Sequence, residues 1–293
     1  MFSILIPTYN NLNYLKICID SIEKNSKYKH QIIIHINEGS DGTVDYVKKN
    51  GLLYTHSKEN IGMPKALNTA SQLSINEYIL ISHDDFYFCP NWDIEFYNEI
   101  KKINNNKFYL SGTMVGAGQV PFDAGQTYND FNEKKLIDNI ENIKTFNFQG
   151  TTKCPGLIHK NLWDEVGGWS EEFSPTGGDD TDFAMKLWKK DVRIFKGLGK
   201  SLVYHFGSIT TRKKDKSLFT YLGSRGNKIF LKKWGITINF FEKFYLKSGL
   251  DKNKNLIFQK YLSPLNEPNK NLNFYIELLK SKILRIYLKL FYN

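Results

Sequence analysis

Cysteine is scarce in this chain. Only Cys18, Cys89 and Cys154 occur among 293 residues. They are odd in number, scattered, and lack metal-ligand spacing, which argues against a disulfide framework or a zinc site and fits a reducing compartment. The expected location is therefore the cytoplasm. Long apolar runs are also lacking, since no stretch approaches the ~20 residues that a membrane-spanning helix needs. Met1 runs straight into an apolar, strand-like segment with no basic lead-in and no cleavage site, so no signal peptide is expected. No internal repeat is evident. Acidic residues are short at one end only. Residues 1–210 hold 22 Lys and Arg against 25 Asp and Glu, whereas residues 211–293 hold 18 against 5. The net charge of +10 thus belongs to the C-terminal part. Such a segment either meets something anionic, a membrane surface or a nucleic acid, or is a solvated Lys-rich face.

What is present suffices for a large core, with 41% hydrophobic and 15% aromatic residues. Apolar runs at Phe2–Ile6, Gln31–Ile36, Leu52–Thr55 and Tyr78–Ser82 predict strands. Between them lie helical patterns: Leu12, Leu15, Ile19 and Ile22, then Thr43–Asn50, then Pro64–Leu73 with proline in its first turn. Trp92, Phe96, Ile100 and Ile103 mark a further helix. This alternation predicts an α/β fold, a mostly parallel sheet covered on both faces, with its ligand site beyond the carboxyl ends of the strands. Residues 113–150 read as loops and a short helix near that site. Thr151 to His205 reads as strand, short helix, Gly-Gly turn, helix and two strands, and the basic segment beyond Ser208 reads as helical.

Four clusters carry chemistry. His83-Asp84-Asp85 ends an apolar strand, where carboxylates can hold Mg²⁺ or Mn²⁺, though two Asp in a loop are also commonly just solvated. In Gly177-Gly178-Asp179-Asp180-Thr181-Asp182-Phe183 the glycines permit a tight turn, and Asp179 or Asp180 either caps the helix Thr181–Lys190 or reacts. His205 follows the strand Ser201–Tyr204 and is a structural residue or a ligand. Asn60 to Asn68 places Gly62 and Lys65 at a helix start, a fair place for an anion.

In this order the clusters resemble the large inverting glycosyltransferase family two, which has the GT-A fold. SILIPTYN is similar to its opening strand and base-binding loop, and NEGSDGT to its D-D-G-S-x-D-G-T, one residue shorter. NIGMPKALN fits N-x-G-x-x-x-A-x-N. HDDFYFCPNW stands where the family has D-x-D, and GGDDTDF resembles its acidic G-E-D-x-D-[LF], with GLIHKNLWDEVGGWSEEF leading into it. HFGS resembles a late metal-ligand histidine. Three positions depart from the pattern. Counting from Pro90, His83 falls on the first Asp of D-x-D and Asp85 on the second, while a register one residue earlier uses Ser82 and Asp84. Asn37-Glu38 replaces an acidic pair, and Asp179 replaces the usual Glu.

The resemblance covers roughly residues 1–235. It implies a GT-A-like catalytic domain over 1–210 and a basic helical extension over 211–293. It implies transfer of a sugar with inversion from a nucleoside-diphosphate sugar, UDP being the commonest donor nucleotide, to a hydroxyl on a glycan, lipid-linked or protein acceptor. Asp180 is the implied general base. Asp85, with Asp84 second, and His205 are the implied ligands of Mn²⁺ or Mg²⁺. Thr8, Tyr9, Asn37, Glu38, Lys65, His83 and Asp84 would line the donor pocket. Asp179 would stand near the sugar or acceptor, and Trp169 would stack on a sugar or pack in the core. Two rival readings are an inactive nucleotide-sugar or glycan-binding member and a nucleic-acid-binding protein. The second lacks a recognition motif, and no nucleic acid is expected. In the tail, Ile276, Leu279, Ile283, Ile286 and Leu290 form one helical stripe flanked by Lys282, Arg285 and Lys289. This predicts a peripheral contact with the inner face of an anionic membrane or, equally, packing on the domain or a second copy.

Overall fold

The computed structural model describes residues 1–207, 216–248 and 259–291. The first strand, β1 (Phe2–Tyr9), is buried along almost its whole length, so it has to be central. It pairs in parallel with β2 (Gln31–Asn37) on one side and β4 (Tyr78–Ile81) on the other, and β2 pairs in parallel with β3 (Leu53–Ser57). The crossovers are α1 (Leu12–Asn25), α2 (Thr43–Lys49) and α3 (Met63–Ser71). This half follows the alternation of the sequence closely, because each strand and helix is short, regular and bounded by turn residues.

The other half of the sheet is mixed. β8 (Gly156–His159) runs antiparallel between β4 and β6 (Phe108–Gly116). Next come β9 (Ile194–His205), parallel to β6, and β5 (Phe86–Phe88), antiparallel to β9. The path is β3-β2-β1-β4-β8-β6-β9-β5, with the two-residue β7 (Phe148–Gln149) also on β9. Two expectations change here. The predicted pair of strands near residue 200 is one twelve-residue strand. Residues 113–150 are not all loop, since β6 runs through Gly116 and β7 follows the short helix α5 (Glu133–Asn139). The Gly and Lys residues within β9 hide its continuity. Gly197 is needed because the Phe148 ring lies where its Cβ would stand, about 2.0 Å from the ring edge.

Helix α4 (Trp92–Ile103) covers β9, α6 (Lys160–Val166) follows β8, and α7 (Asp179–Lys189) carries the acidic motif. After residue 215 the chain forms α8 (Lys216–Trp234), α9 (Ile238–Phe241) with a π-helical turn over Glu242–Leu246, and α10 (Leu272–Phe291). These elements share the main core: Phe230, Ile236, Phe241 and Phe274 are buried in the same cluster as Trp188 and Phe195. Arg225 donates to the carbonyls of Glu172 and Phe173. The basic segment is therefore clamped to the acidic-motif region.

Candidate active site

The carboxyl ends of β1, β2 and β4 converge as an open α/β sheet requires. Asn10 and Ser40 join the loops after β1 and β2, Ser40 N donating to Asn10 Oδ1 at 2.9 Å, and Leu12 N donates to Asp41 at 2.8 Å. Tyr9 and Glu38 meet at this mouth, and the Glu38 charge raises the Tyr9 phenol above its ordinary value. Glu38 has φ +63 and accepts from Ser40 Oγ at 2.8 Å, which holds its carboxyl below the usual range. Asn37 behaves differently from its expected place in the donor pocket. It is buried, and its Oδ1 accepts from Ile61 N at 2.9 Å.

That bond begins a chain of contacts that explains the Asn60–Asn68 motif. Gly62 has φ +81 and lies so close to Pro175 that a Cβ would come to 2.6 Å from its Cα. Met63 N donates to Pro175 O, and Asn68 exchanges two hydrogen bonds of 2.8 Å with the backbone of Trp169. The motif fastens α3 to the loop that precedes the acidic helix. Lys65 stands exposed on the first turn of α3. Trp169 is only 2% exposed and packs against Phe183, so its indole belongs to the core and does not offer a sugar platform.

Beyond β4, Thr8 Oγ1 donates to Asp84 Oδ2 at 2.7 Å. Burial and the adjacent Asp85 charge push Asp84 up to about 7. The sequence ranks Asp84 second among the metal ligands, but the groups that gather are His83, Asp85 and His205, with one potential ligand atom from each all within 4.8 Å of one another. His83 stacks on Phe86 with ring centroids 4.8 Å apart, which fixes its plane. His205 Nδ1 meets the Ala117 carbonyl at 2.6 Å, and a carbonyl only accepts, so Nδ1 carries the hydrogen. Nε2 of the same ring lies 3.4 Å from Asp85 Oδ2. A proton or a cation between the two atoms fits that distance. If His205 ligates a cation, the Ala117 bond would be the outer-sphere contact that orients it. Two imidazoles and a carboxylate suit Mn²⁺ better than Mg²⁺, which prefers oxygen alone. Burial holds His83 below its ordinary value against the pull of Asp85, which keeps its ring neutral and able to ligate. The imidazole stands at the position that the sequence aligns with the family's first carboxylate. A cavity of about 550 Å³, lined by Gly116, Ala117, Phe122, Tyr204 and His205, opens beside this group. A larger one of about 710 Å³ is lined only by the C-terminal helices and holds none of these groups.

The acidic motif divides its three carboxylates. Asp179 folds back on its own turn, accepting from Thr176 Oγ1 at 3.0 Å and Gly177 N at 3.1 Å, and burial with the nearby Asp180 charge pushes it up to about 7. Gly178, with φ +79, precedes α7 as its cap residue. Asp180 accepts from Thr181 N at 2.8 Å through one oxygen and from Lys153 Nζ at 2.6 Å through the other. Burial works to raise Asp180, but the Lys153 ammonium outweighs it and holds the carboxyl below the usual range. The charges of Asp180 and Lys153 both act on His83, so this pair lies within electrostatic reach of the cluster. Asp182, two residues on, turns about 200° around the helix and faces away. It is fully buried, with Trp234 Nε1 at 2.7 Å, Ser170 Oγ at 2.6 Å and Lys233 Nζ at 3.0 Å.

Sequence reasoning assigns no role to Lys153, Asp182 or Glu242. Lys153 lies in a Thr-Thr-Lys-Cys-Pro-Gly loop with no telling spacing. Glu242, from the π-helical turn, is raised by burial and interacts with both Lys153 and Asp180. Asp182 is legible in part, since carboxylates two apart on a helix cannot serve one site.

Residues 3–165, more than half of the chain, match the family described as Glycosyl transferase family 2. An uncharacterized glycosyltransferase of Rickettsia prowazekii is 36% identical over 202 residues, 66% of this chain and 59% of that protein. One from Rickettsia felis is 34% identical over 207 residues, 66% of this chain and 32% of that protein. The chain spans less than two thirds of the length of these relatives. Among solved structures, the mannosyltransferase PcManGT of Pyrobaculum calidifontis, in complex with GDP-Man and Mn²⁺, aligns with a TM-score of 0.56 at 16% identity, covering 79% of this chain and 63% of that one. S. aureus TarS 1-349 in complex with UDP-GlcNAc aligns at 0.52 and 15%, covering 83% and 73%. These likenesses establish the GT-A-like fold, and the sequence match establishes the rest: the chain belongs to glycosyl transferase family 2.

Proposed function

We propose that this chain transfers a sugar from a nucleoside-diphosphate sugar to an acceptor hydroxyl, with inversion and with help from a divalent cation. The observation that carries the reading is a cluster of potential metal ligands, His83, Asp85 and His205, within electrostatic reach of an Asp180 that Lys153 holds ionised. Asp180 is the general base. It is kept deprotonated by Lys153, fixed at the start of α7 by Thr181 N, and takes the proton of the acceptor hydroxyl as its oxygen attacks the anomeric carbon. A bound cation would supply Lewis-acid neutralisation of the departing diphosphate. His83, Asp85 and His205 would hold it, and Ala117 keeps His205 turned for that purpose. Tyr9 and Glu38 form the nucleoside end of the pocket. Relatives of this fold carry UDP-GlcNAc and GDP-Man, so both bases belong in the donor panel.

The test is donor turnover. The chain is incubated with UDP- and GDP-sugars, with Mn²⁺ or with EDTA, and released nucleoside diphosphate is measured. Turnover with Mn²⁺ that Asp180→Asn abolishes supports the reading. Tight donor binding without turnover over the whole panel would make the chain a nucleotide-sugar-binding member.

A further inference from the structure

Helix α10 has two apolar faces. One is docked: Phe274, Ser281 and Leu288 are buried, and the Phe274 ring lies 5.0 Å from Phe240 and 5.2 Å from Phe244. Arg285 donates to the Lys232 carbonyl at 2.8 Å, so the helix cannot roll on the body without breaking polar contacts. The other face is Leu272, Ile276, Leu279, Ile283, Ile286 and Leu290, spaced by alternating four and three residues. All six are between 45% and 76% exposed. At 100° per residue this stripe lies opposite the docked face, with Lys280 on one flank and Lys282 and Lys289 on the other. Tyr275 and Tyr287 are exposed beside it. A continuous apolar stripe of six large side chains is far more than the scattered exposure of an ordinary surface.

We propose that this face lies on an anionic lipid bilayer, parallel to its surface. Three observations favour lipid over another occupant. The only acidic residue of the helix is Glu277, which pairs with Lys280. A second copy docked through the stripe would bring the flanking lysines of each helix against those of the other. Beside the stripe, a cavity of about 480 Å³ is lined by Trp234, Lys282, Arg285, Ile286 and Lys289, and of its three cations Lys282 and Lys289 flank the stripe where a headgroup phosphate would sit. Arg285 Nε is buried there without a partner. The aromatic rims and lysine flanks are those of a helix that lies in an interface. Among the described residues no helix is long and apolar enough to cross a membrane, so the contact is peripheral. The placement follows from α10 and the elements it docks on, and it is independent of the transferase reading.

Vesicle co-sedimentation of the full chain tests this. The chain should pellet with phosphatidylcholine vesicles containing phosphatidylglycerol, much less with phosphatidylcholine alone, and less as salt is raised. Leu279→Asp/Ile283→Asp should abolish pelleting while leaving the thermal melt by circular dichroism unchanged, because neither side chain is packed. Lys282→Glu/Lys289→Glu, which leaves the stripe intact, should weaken partition by about fivefold or more per lysine. Equal binding to both vesicle types, or retained binding by the aspartate variant, overturns the proposal. So does a dimer in sedimentation velocity that the aspartate variant converts to monomer, since the stripe would then join two copies.

Discussion

Lys153 Nζ and Asp180 Oδ2 are 2.6 Å apart, so the ammonium occupies one oxygen of the proposed base. The pair is partly open to solvent, with about a third of the lysine side chain and a quarter of the aspartate side chain exposed, which allows the hydroxyl to share or displace the contact. A base held below its ordinary pKa is ionised at neutral pH, at the cost of basicity. The loop after β7 thus tunes a residue on α7.

Removing the ammonium should make the base more basic. In Lys153→Met the pull that lowers Asp180 is gone, so its pKa rises and the acidic limb of the kcat/KM profile moves to higher pH. A pH–rate series on wild type and variant checks this. An unmoved limb would mean that Asp180 is not the group titrating.

Asp180→Asn keeps the shape and the Thr181 contact but cannot take a proton. Transfer should fall in kcat by about 10²-fold or more, with donor affinity close to wild type. Transfer at the wild-type rate would remove Asp180 as base and leave Asp179 as the next candidate.

The cluster beside it should show itself in nucleotide affinity. Asp85→Ala and His205→Ala should each weaken Mn²⁺-dependent binding of a nucleoside diphosphate by at least about tenfold. His83→Asp restores a carboxylate and should move the preference from Mn²⁺ toward Mg²⁺. Calorimetry with each ion and with EDTA reads both effects. Affinity indifferent to EDTA and to all three substitutions would reduce these residues to structural ones.

Asp182 predicts a stability effect. Asp182→Asn loses the charge that faces Lys233 deep under α8. It should cost about 2–4 kcal/mol, less than a fully buried pair because Lys233 keeps some solvent. Denaturant unfolding measures it, and faster proteolysis within α8 should accompany it. An unchanged midpoint would show that the clamp is not needed.

Asp179 gives a pH signature. Its folded pKa is raised from 3.8 to about 7, so the folded chain binds this proton more tightly than the unfolded chain. Its contribution is fully present below pH 3.8 and is lost as pH climbs to about 7. Asp179→Asn, which keeps an acceptor for Gly177 N, should therefore raise the melting temperature at pH 8 and change it little near pH 4. Equal shifts at both pH values would contradict the raised pKa.

Much of the site was legible because its residues lie in short, ordered stretches. Asp85, His205 and Asp180 each follow a strand end or a Gly-Gly turn, positions that the sheet topology sends to one edge. Asn37, Trp169 and Asp84 were harder. An exposed asparagine and one bonded to Ile61 N read the same in sequence, as do a stacking and a buried tryptophan. Asp84 and Asp85 are neighbours, and only the turn between β4 and β5 gives one to Thr8 and the other to the histidines.

The sequence alone determined the parallel half of the sheet, the order of the motifs and the amphipathic stripe of α10, because all depend on local periodicity and turn chemistry. The tertiary structure alone decided that His83 and Asp85 gather with the distant His205, that Lys153 sits on Asp180, that the basic segment is clamped through Asp182, and that the α10 stripe faces outward. Each of these joins residues distant in the chain, and which partner a buried charge or an apolar face receives is fixed by packing, which no local pattern encodes.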